Sequence, residues 1–195
     1  NSTNPSGYTS NTGTVTSIIG GSYLTGGTIS TSGTLAVDAT SANTASKVVA
    51  RDASGNFSAG VITATATSAR YADVAERYEA DNEYAVGTVV VFGGDKEITA
   101  VENELSDEVF GVVSTTAGYI MNGMAGSDET HPTIAMSGRV PVKVRGKIVK
   151  GDMMISGGSG YARPSQDPLM GSVIGKALED FDGVEGVIEV VVGRF

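Results

Sequence analysis

The spacing of apolar residues divides the chain into two regions. In residues 1–70, single valine, isoleucine or leucine residues recur between glycine-rich turn signals, which are GG (20–21), TGG (25–27) and TSG (31–33). Short β-branched segments separated by such turns predict a series of very small strands. The N-terminal region is therefore expected to be a repetitive β structure.

Residues 71–195 contain longer β-branched runs, bounded by Gly, Asp or Asn. The runs are VGTVVVFGG (86–94), EVFGVVSTT (108–116), HPTIAMSG (131–138), RVPVKVRGKIV (139–149), DMMISG (152–157), SVIGKAL (172–178) and VIEVVVGRF (187–195). About seven to nine such strands predict a compact antiparallel β-barrel or sandwich. The only helix candidate, ADVAERYEAD (72–81), fits an extended conformation equally well. The predicted fold is all-β, with a stalk over residues 1–70 and a head over residues 71–195.

Composition leaves two interpretations of the N-terminal region. Residues 1–70 hold five charged side chains against 26 Ser or Thr residues, so the region could be a disordered linker with too few large apolar groups to fold. The regular recurrence of apolar residues instead favours strands that cannot bury their faces alone. Three identical chains wound about one axis could bury them, and an intertwined homotrimeric stalk is the favoured interpretation.

Charge and residue counts exclude several classes of function. The chain has no cysteine and one histidine, which excludes disulfides, thiolate zinc sites and multi-histidine metal centres, and no metal or cofactor is expected. A formal net charge of −9 disfavours nucleic-acid binding, which needs a positive surface. No run of about 18 apolar residues and no leader pattern is visible, so no membrane insertion is expected.

The N-terminal region resembles the stem repeats of tailed-phage tail fibres and related virion appendages. The resemblance covers GTVTSIIGGSYLTGGTISTSGTLAVD (13–38) and SANTASKVVARDASGNFSAGVITATAT (41–67), and the repeat unit V-V-x-R-D-A-S-G-N-F-S-A-G-x-I-T-A matches residues 48–64. Within it, Asp52 to Gly55 has the residue order of a tight turn. A calcium loop is the alternative at Asp52, Ser54 and Asn56, although the later bidentate acid is missing. Residues expected to pack near a trimer axis are Val48, Val49, Phe57, Val61 and Ile62.

The C-terminal region resembles the C-terminal domain of phage neck-appendage and fibre proteins. The similarity runs through YADVAERYEADNEYAVGTVVVFGGDKEI, EVFGVVS, GRVPVKVRG, IGKALED and IEVVV. It implies an intramolecular chaperone, which in some members cuts itself from the finished fibre at a Ser-Asp-x-Ala-Glu motif, before the Asp and with help from the Glu. Asp73, Ala75 and Glu76 match this motif, but the preceding residue is Ala72. Because the hydroxyl is absent, efficient self-cleavage is not expected, and the chain is not expected to be an enzyme.

Glu76 has two interpretations. In an extended segment, Ala72, Val74, Glu76 and Tyr78 share one face, where apolar neighbours would raise the pKa of the Glu76 carboxyl and suit it to proton transfer. Alternatively, Glu76 forms an ion pair with a nearby arginine such as Arg70 or Arg77 and only fixes the junction between stalk and head.

The resemblance implies a virion structural protein, located in a tail fibre or appendage and made in the host cytoplasm. Its expected partners are two further copies of itself, other virion tail proteins and host-surface polysaccharide. Candidate sugar-binding residues are the aromatic Tyr119, Tyr161 and Phe181, together with Arg145. Arg145 belongs to a basic stretch that alternates with valines, consisting of Arg139, Lys143, Arg145, Lys147 and Lys150. That stretch predicts either a solvated face paired with acids from residues 95–108 or a ridge that binds acidic glycans.

Overall fold

A computed structural model describes residue 15 and residues 17–193 of the chain. The chain divides between Thr65 and Ala66 into two compact units, a few residues before the predicted boundary at 70 and 71. The parts of the predicted stalk and of the last predicted strand that fall on residues 1–14, 16, 194 and 195 lie outside the described residues. Within the described part of the chain, no helix is long and apolar enough to cross a membrane.

Within its described residues, the N-terminal unit contains six strands of two residues each. They are β1 (Ile18–Ile19), β2 (Leu24–Thr25), β3 (Thr28–Ile29), β4 (Ala36–Val37), β5 (Ala39–Thr40) and β6 (Val48–Val49). The pairs β1–β3 and β2–β4 are antiparallel, and β5–β6 is parallel. Ladders of two residue pairs contribute little stability, and the apolar side chains on them are mostly exposed to solvent.

The predicted turn at Asp52 is confirmed. The Gly55 N–H donates to the Asp52 carbonyl at 3.0 Å, which closes the turn. The Asp52 Oδ1 atom accepts backbone N–H groups from Ser54 at 2.9 Å and from Asn56 at 2.8 Å. The bond from the Asn56 N–H lowers the pKa of the Asp52 carboxyl. This side chain therefore stabilises the turn by local backbone bonding.

The C-terminal unit is built from ten strands in one sheet. They are β7 (Asp73–Arg77), β8 (Val89–Phe92), β9 (Ile98–Ala100), β10 (Val109–Ser114), β11 (Tyr119–Met121), β12 (Thr133–Arg145), β13 (Met153–Ser156), β14 (Ala162–Pro164), β15 (Val173–Ala177) and β16 (Glu185–Val192). The helix candidate at residues 72–81 is extended, because β7 occupies its centre.

Five of these strands close into a barrel. The order is β12–β14–β13–β15–β16, and β16 pairs again with β12. All contacts around the ring are antiparallel except β12–β14, where Val144 pairs with Ala162 in parallel. Beyond the ring, β10, β8 and β9 extend the sheet from β12 in that order. β7 also pairs with β12, and β11 pairs with β7. The prediction of an all-β fold with a small barrel is confirmed.

Side-chain alternation along β12 explains why the barrel forms. Val140, Val142 and Val144 are fully buried, whereas the residues between them are only partly buried. A period of two places one face of the strand in the core. Met154 and Ile188 from neighbouring strands fill the same core. A second, smaller cluster under β8–β10 is formed by Val90, Ile98, Val113 and Ile134.

Candidate functional site

The junction between Ala72 and Asp73 lies at the start of β7. That strand is paired on both sides: antiparallel with β12, where Asp73 pairs with Gly138, and parallel with β11, where Val74 pairs with Tyr119. Asp73 and Ala75 are buried and Val74 points to solvent, which is the alternation expected of a strand with one covered face. The candidate cleavage bond therefore enters a fully paired strand.

Two glycines make close contact with the backbone of this junction. Gly138 has φ +112°, and a Cβ atom there would overlap the Ala72 carbonyl oxygen and lie 2.7 Å from the Asp73 Cα. A Cβ atom at Gly118 would overlap the Tyr71 carbonyl oxygen. The Gly118 N–H also donates to the Asp73 carbonyl at 2.8 Å. Both positions thus need glycine because backbone occupies the space of a side chain.

Asp73 and Glu76 lie on opposite faces of β7. Asp73 is 3% exposed, and its Oδ2 atom is buried without a hydrogen-bond partner among the described residues. Glu76 faces the opposite side from Asp73 and lies three residues further along β7, about 10 Å at the rise of a strand. A single chain therefore does not bring the Glu76 carboxylate to the Ala72–Asp73 bond.

The Glu76 carboxylate has a hydroxyl partner in place of the arginines suggested by the sequence. The Tyr78 hydroxyl donates to Glu76 Oε2 at 2.9 Å. Burial, and then this bond to Glu76, raise the pKa of Tyr78 to about 12. Arg77 instead pairs with Asp128 at 2.7 Å, and the Arg70 guanidinium lies 5.4 Å from the centre of the Tyr71 ring. Within one chain, Glu76 therefore receives its hydrogen bond from a neutral donor.

The structure brings two of the four candidate sugar-binding residues together. The Arg145 guanidinium lies 4.4 Å from the centroid of the Tyr161 ring. Arg145 also donates to the Gly157 carbonyl at 3.1 Å and lies 3.4 Å from Glu185. A cation placed over a tyrosine face is held by the electron-rich ring. One face of the Tyr161 ring is thus already covered by a side chain of the same chain.

The other two candidates lie in different surroundings. Tyr119 is 65% exposed at the start of β11. Phe181 is half-buried and packs against the barrel core. A Cβ atom at Gly186 would lie 2.6 Å from the Phe181 ring, so the outer edge of the ring lies close to that backbone. Of the two rings, Tyr119 is the one with a free face, and sugar binding at either stays a prediction.

The basic stretch alternates as predicted, but its acidic partners are different. Lys143 donates to the Thr88 hydroxyl at 2.8 Å, and Lys147 lies 3.9 Å from Asp182. Together with the Arg145–Glu185 contact, these bonds place the partners at residues 182–185 and 88. The prediction of partners at residues 95–108 was wrong for these side chains, because the second half of β12 pairs with β16 and the acids at and just before the start of that strand are nearer.

Sequence reasoning missed Gly138 and Arg163. Gly138 interrupts a β-branched run, and an isolated glycine inside a strand pattern is a known sign of close backbone approach. Arg163 follows Ala162 in a three-residue strand, and only the closure of the barrel places it beside Arg145. Among the described residues, no group of three or more potential metal ligands is present.

Comparison with known proteins gives structural similarity only. No family model and no curated protein sequence matches the chain. Similar solved structures include three from bacteriophage phi29: pre-mature gene product 12 (TM-score 0.49, 15% identity, 72% of this chain), the gene product 12 C-terminal fragment (0.46, 16%, 62%) and the head fibre gp8.5 N base (0.38, 18%, 60%). This chain spans 23% of the first, 99% of the second and 90% of the third. All three TM-scores are below 0.5.

Replacing Gly138 by alanine should destabilise the C-terminal unit strongly. The new Cβ atom would overlap the Ala72 carbonyl in a left-handed backbone conformation, and we expect a loss of about 2–3 kcal/mol in unfolding free energy. Gly146→Ala is the matched control, because Gly146 has φ +80° with no atom within 4 Å of the added Cβ. It should cost only about 1 kcal/mol. Urea unfolding measures both, and equal losses would contradict the close contact.

The bond between Ala72 and Asp73 should stay intact. Glu76 lies far from it along the strand, and the position before Asp73 offers no hydroxyl for an acyl shift. After long incubation, mass spectrometry should therefore find a chain of 19.8 kDa. A fragment that begins at Asp73, that disappears in Glu76→Gln and persists in the exposed control Glu83→Gln, would contradict this expectation.

Proposed function

We propose that the chain is a virion structural protein, a homotrimeric segment of a tail fibre or appendage. In this proposal, residues 1–70 form the stalk, and residues 71–195 form a head that sets the register of the three stalk strands. The observation that carries it is the exposed apolar surface of the stalk. Val61 is 89% exposed, Ile62 67% and Val49 60%.

Such exposure is unfavourable for a single chain. Burying apolar surface contributes about 25 cal/mol per Å², and a fully buried valine or isoleucine side chain about 1.5–3 kcal/mol. The stalk ladders are two residues long and cannot supply this burial within one chain. Three copies around one axis would cover these side chains and would pair their free strand edges as well.

Register is the difficulty of such an assembly. Shifting a strand by one residue moves every side chain to the other face, and ladders of two residue pairs resist such a shift poorly. The head has what the stalk lacks, namely a closed barrel with fully buried Val140, Val142 and Val144. A head that folds and trimerises first would align the three stalk strands at one end, from which pairing can extend. This is the role of an intramolecular chaperone.

The net charge determines which residues can face outward in the proposed trimer. Three chains carry 3 × (−9) = −27 formal charges, which repel unless they lie away from the axis and in contact with water. The proposed partners are other virion tail proteins and, through the head, host-surface polysaccharide. The protein would be made in the host cytoplasm and function in the virion without turning over an outside substrate. Self-cleavage at Ala72–Asp73 is the alternative, and the separation of Glu76 from that bond disfavours it.

The full-length chain should be a trimer in solution. The apolar stalk residues need partner chains, so multi-angle light scattering at micromolar concentration should give about 3 × 19.8 = 59.4 kDa. The mass should persist on dilution, because a monomer would expose its stalk strands. A stable species of 19.8 kDa would contradict the proposal.

The head should fold without the stalk, and the stalk should not fold without the head. Residues 71–195 contain the barrel core and should give a β-sheet circular dichroism spectrum with trimeric mass. Residues 1–70 alone should give the spectrum of an unfolded chain, because nothing aligns their strands. An isolated stalk that is folded and trimeric would show that the head is not needed to set register.

A further inference from the structure

Two arginines stand side by side where the barrel closes. β12 and β14 pair in parallel at Val144 and Ala162, both of which point into the core. The next residue of each strand, Arg145 and Arg163, therefore points outward on neighbouring strands about 5 Å apart. Like charges directly across a strand pair destabilise a sheet unless an anion lies near them.

The neighbouring carboxylates accept hydrogen bonds from only some of the donor groups of these arginines. Arg145 Nη2 donates a hydrogen bond to Glu185 Oε1 at 3.4 Å, which is long for such a bond. Arg163 Nε lies 3.1 Å from Glu104 Oε2, but its N–H does not point at that oxygen and has no hydrogen-bond partner among the described residues. The Arg145 Nε is likewise buried without a hydrogen-bond partner in the described part of the chain. Both glutamates are more than half exposed, and ion pairs of that kind contribute little.

The two arginines line a groove of about 580 Å³. Pro164 and Val184 form an apolar wall of the groove, and Val184 is 85% exposed. The charged lining consists of Arg145, Arg163 and Glu185, and Glu104 lies 3.1 Å from Arg163, so the two arginines and the two glutamates beside them balance in formal charge. The Tyr161 ring holds the Arg145 guanidinium from one side, so this group is partly preorganised. The groove is shallow and open to solvent.

We propose that this groove binds a sugar unit that carries an oxyanion, a carboxylate or a phosphate. The proposal rests on the polysaccharide contact proposed above, to which it gives a location and a ligand class. Planar guanidinium groups bind such oxyanions with two parallel hydrogen bonds. The incoming oxyanion displaces the loosely held Glu185 and neutralises both arginines. The C–H face of the sugar ring then packs on Pro164 and Val184.

The groove should distinguish an acidic sugar from a neutral sugar and from an anion without a sugar ring. A neutral sugar leaves two adjacent cations without an added counter-charge. Inorganic phosphate satisfies the cations but makes no contact with the apolar wall. A sugar acid uses both features, and its binding should weaken as salt rises because one part of the attraction is electrostatic.

The test is titration of the full-length chain with four probes, followed by NMR or calorimetry: methyl glucuronide, glucose 6-phosphate, methyl glucoside and inorganic phosphate. We expect binding of at least one of the two acidic sugars, with the neutral glucoside and inorganic phosphate at least tenfold weaker. Whether the glucuronide or the sugar phosphate binds more tightly identifies the oxyanion. Absence of binding by both acidic sugars, or equal binding by the glucoside or by inorganic phosphate, would overturn the proposal.

Variants locate the site. Arg163→Gln and Arg145→Gln should each weaken binding about tenfold or more, the effect of losing charge-assisted hydrogen bonds. Lys147→Gln is the matched control, because it removes one positive charge from a 76% exposed side chain outside the groove. Thermal unfolding checks that each variant is folded, and Arg163→Gln keeps the test valid if Arg145→Gln does not fold. An equal loss in Lys147→Gln would contradict a site in this groove.

The oligomeric state is measured on the same samples and reports on a different proposal. If the wild-type chain is monomeric but binds acidic sugars in the expected pattern, the trimer proposal fails and the groove proposal stands. If Arg163→Gln lowers the mass of a trimeric wild type, the groove is an interface between copies, and the sugar site is overturned.

Discussion

One strand determines the architecture of the C-terminal unit. β12 pairs with four others, β7 and β10 along its first half and β14 and β16 along its second. Gly138 lies where these halves meet and pairs with Asp73 on one side and with Val192 on the other. Its positive φ allows β12 to leave one set of partners and join the next, as glycine permits at a bend in a strand. The barrel, the outer sheet and the junction with β7 are all positioned by this strand.

The two units bury apolar surface in different ways. In the C-terminal unit, alternation along long strands points one face into a closed barrel, and the core residues of β12 have no exposed surface. In the N-terminal unit, strands of two residues leave valine and isoleucine side chains in contact with water. A structure of the first kind is complete within one chain. The second kind leaves apolar surface uncovered, and in the proposed trimer partner chains would cover it.

Local patterns predicted the strands well, and long-range pairing limited what could be predicted of the site. The alternation of Val140, Val142 and Val144 identified the core face of β12, and the order of residues from Asp52 to Gly55 identified a turn. The parallel contact between β12 and β14 joins residues 144 and 162, and no periodicity encodes it. For that reason Arg163 was missed, and Arg145 was expected to pair with the wrong acids. The faces of β7 followed from alternation, but the burial of Asp73 required knowledge of what covers it.

The pairing of β7 also determines how the junction responds to proteases. A protease must draw an extended segment into its cleft and bind the N–H and carbonyl groups along that segment. In β7 those groups are already bonded to β12 on one side and to β11 on the other, and Gly118 and Gly138 press against the carbonyls just before it. Val74 presents an exposed side chain, yet its backbone is paired on both sides and is not available for cleavage. A surface position in this protein can therefore be resistant to digestion for as long as the barrel beside it stays folded.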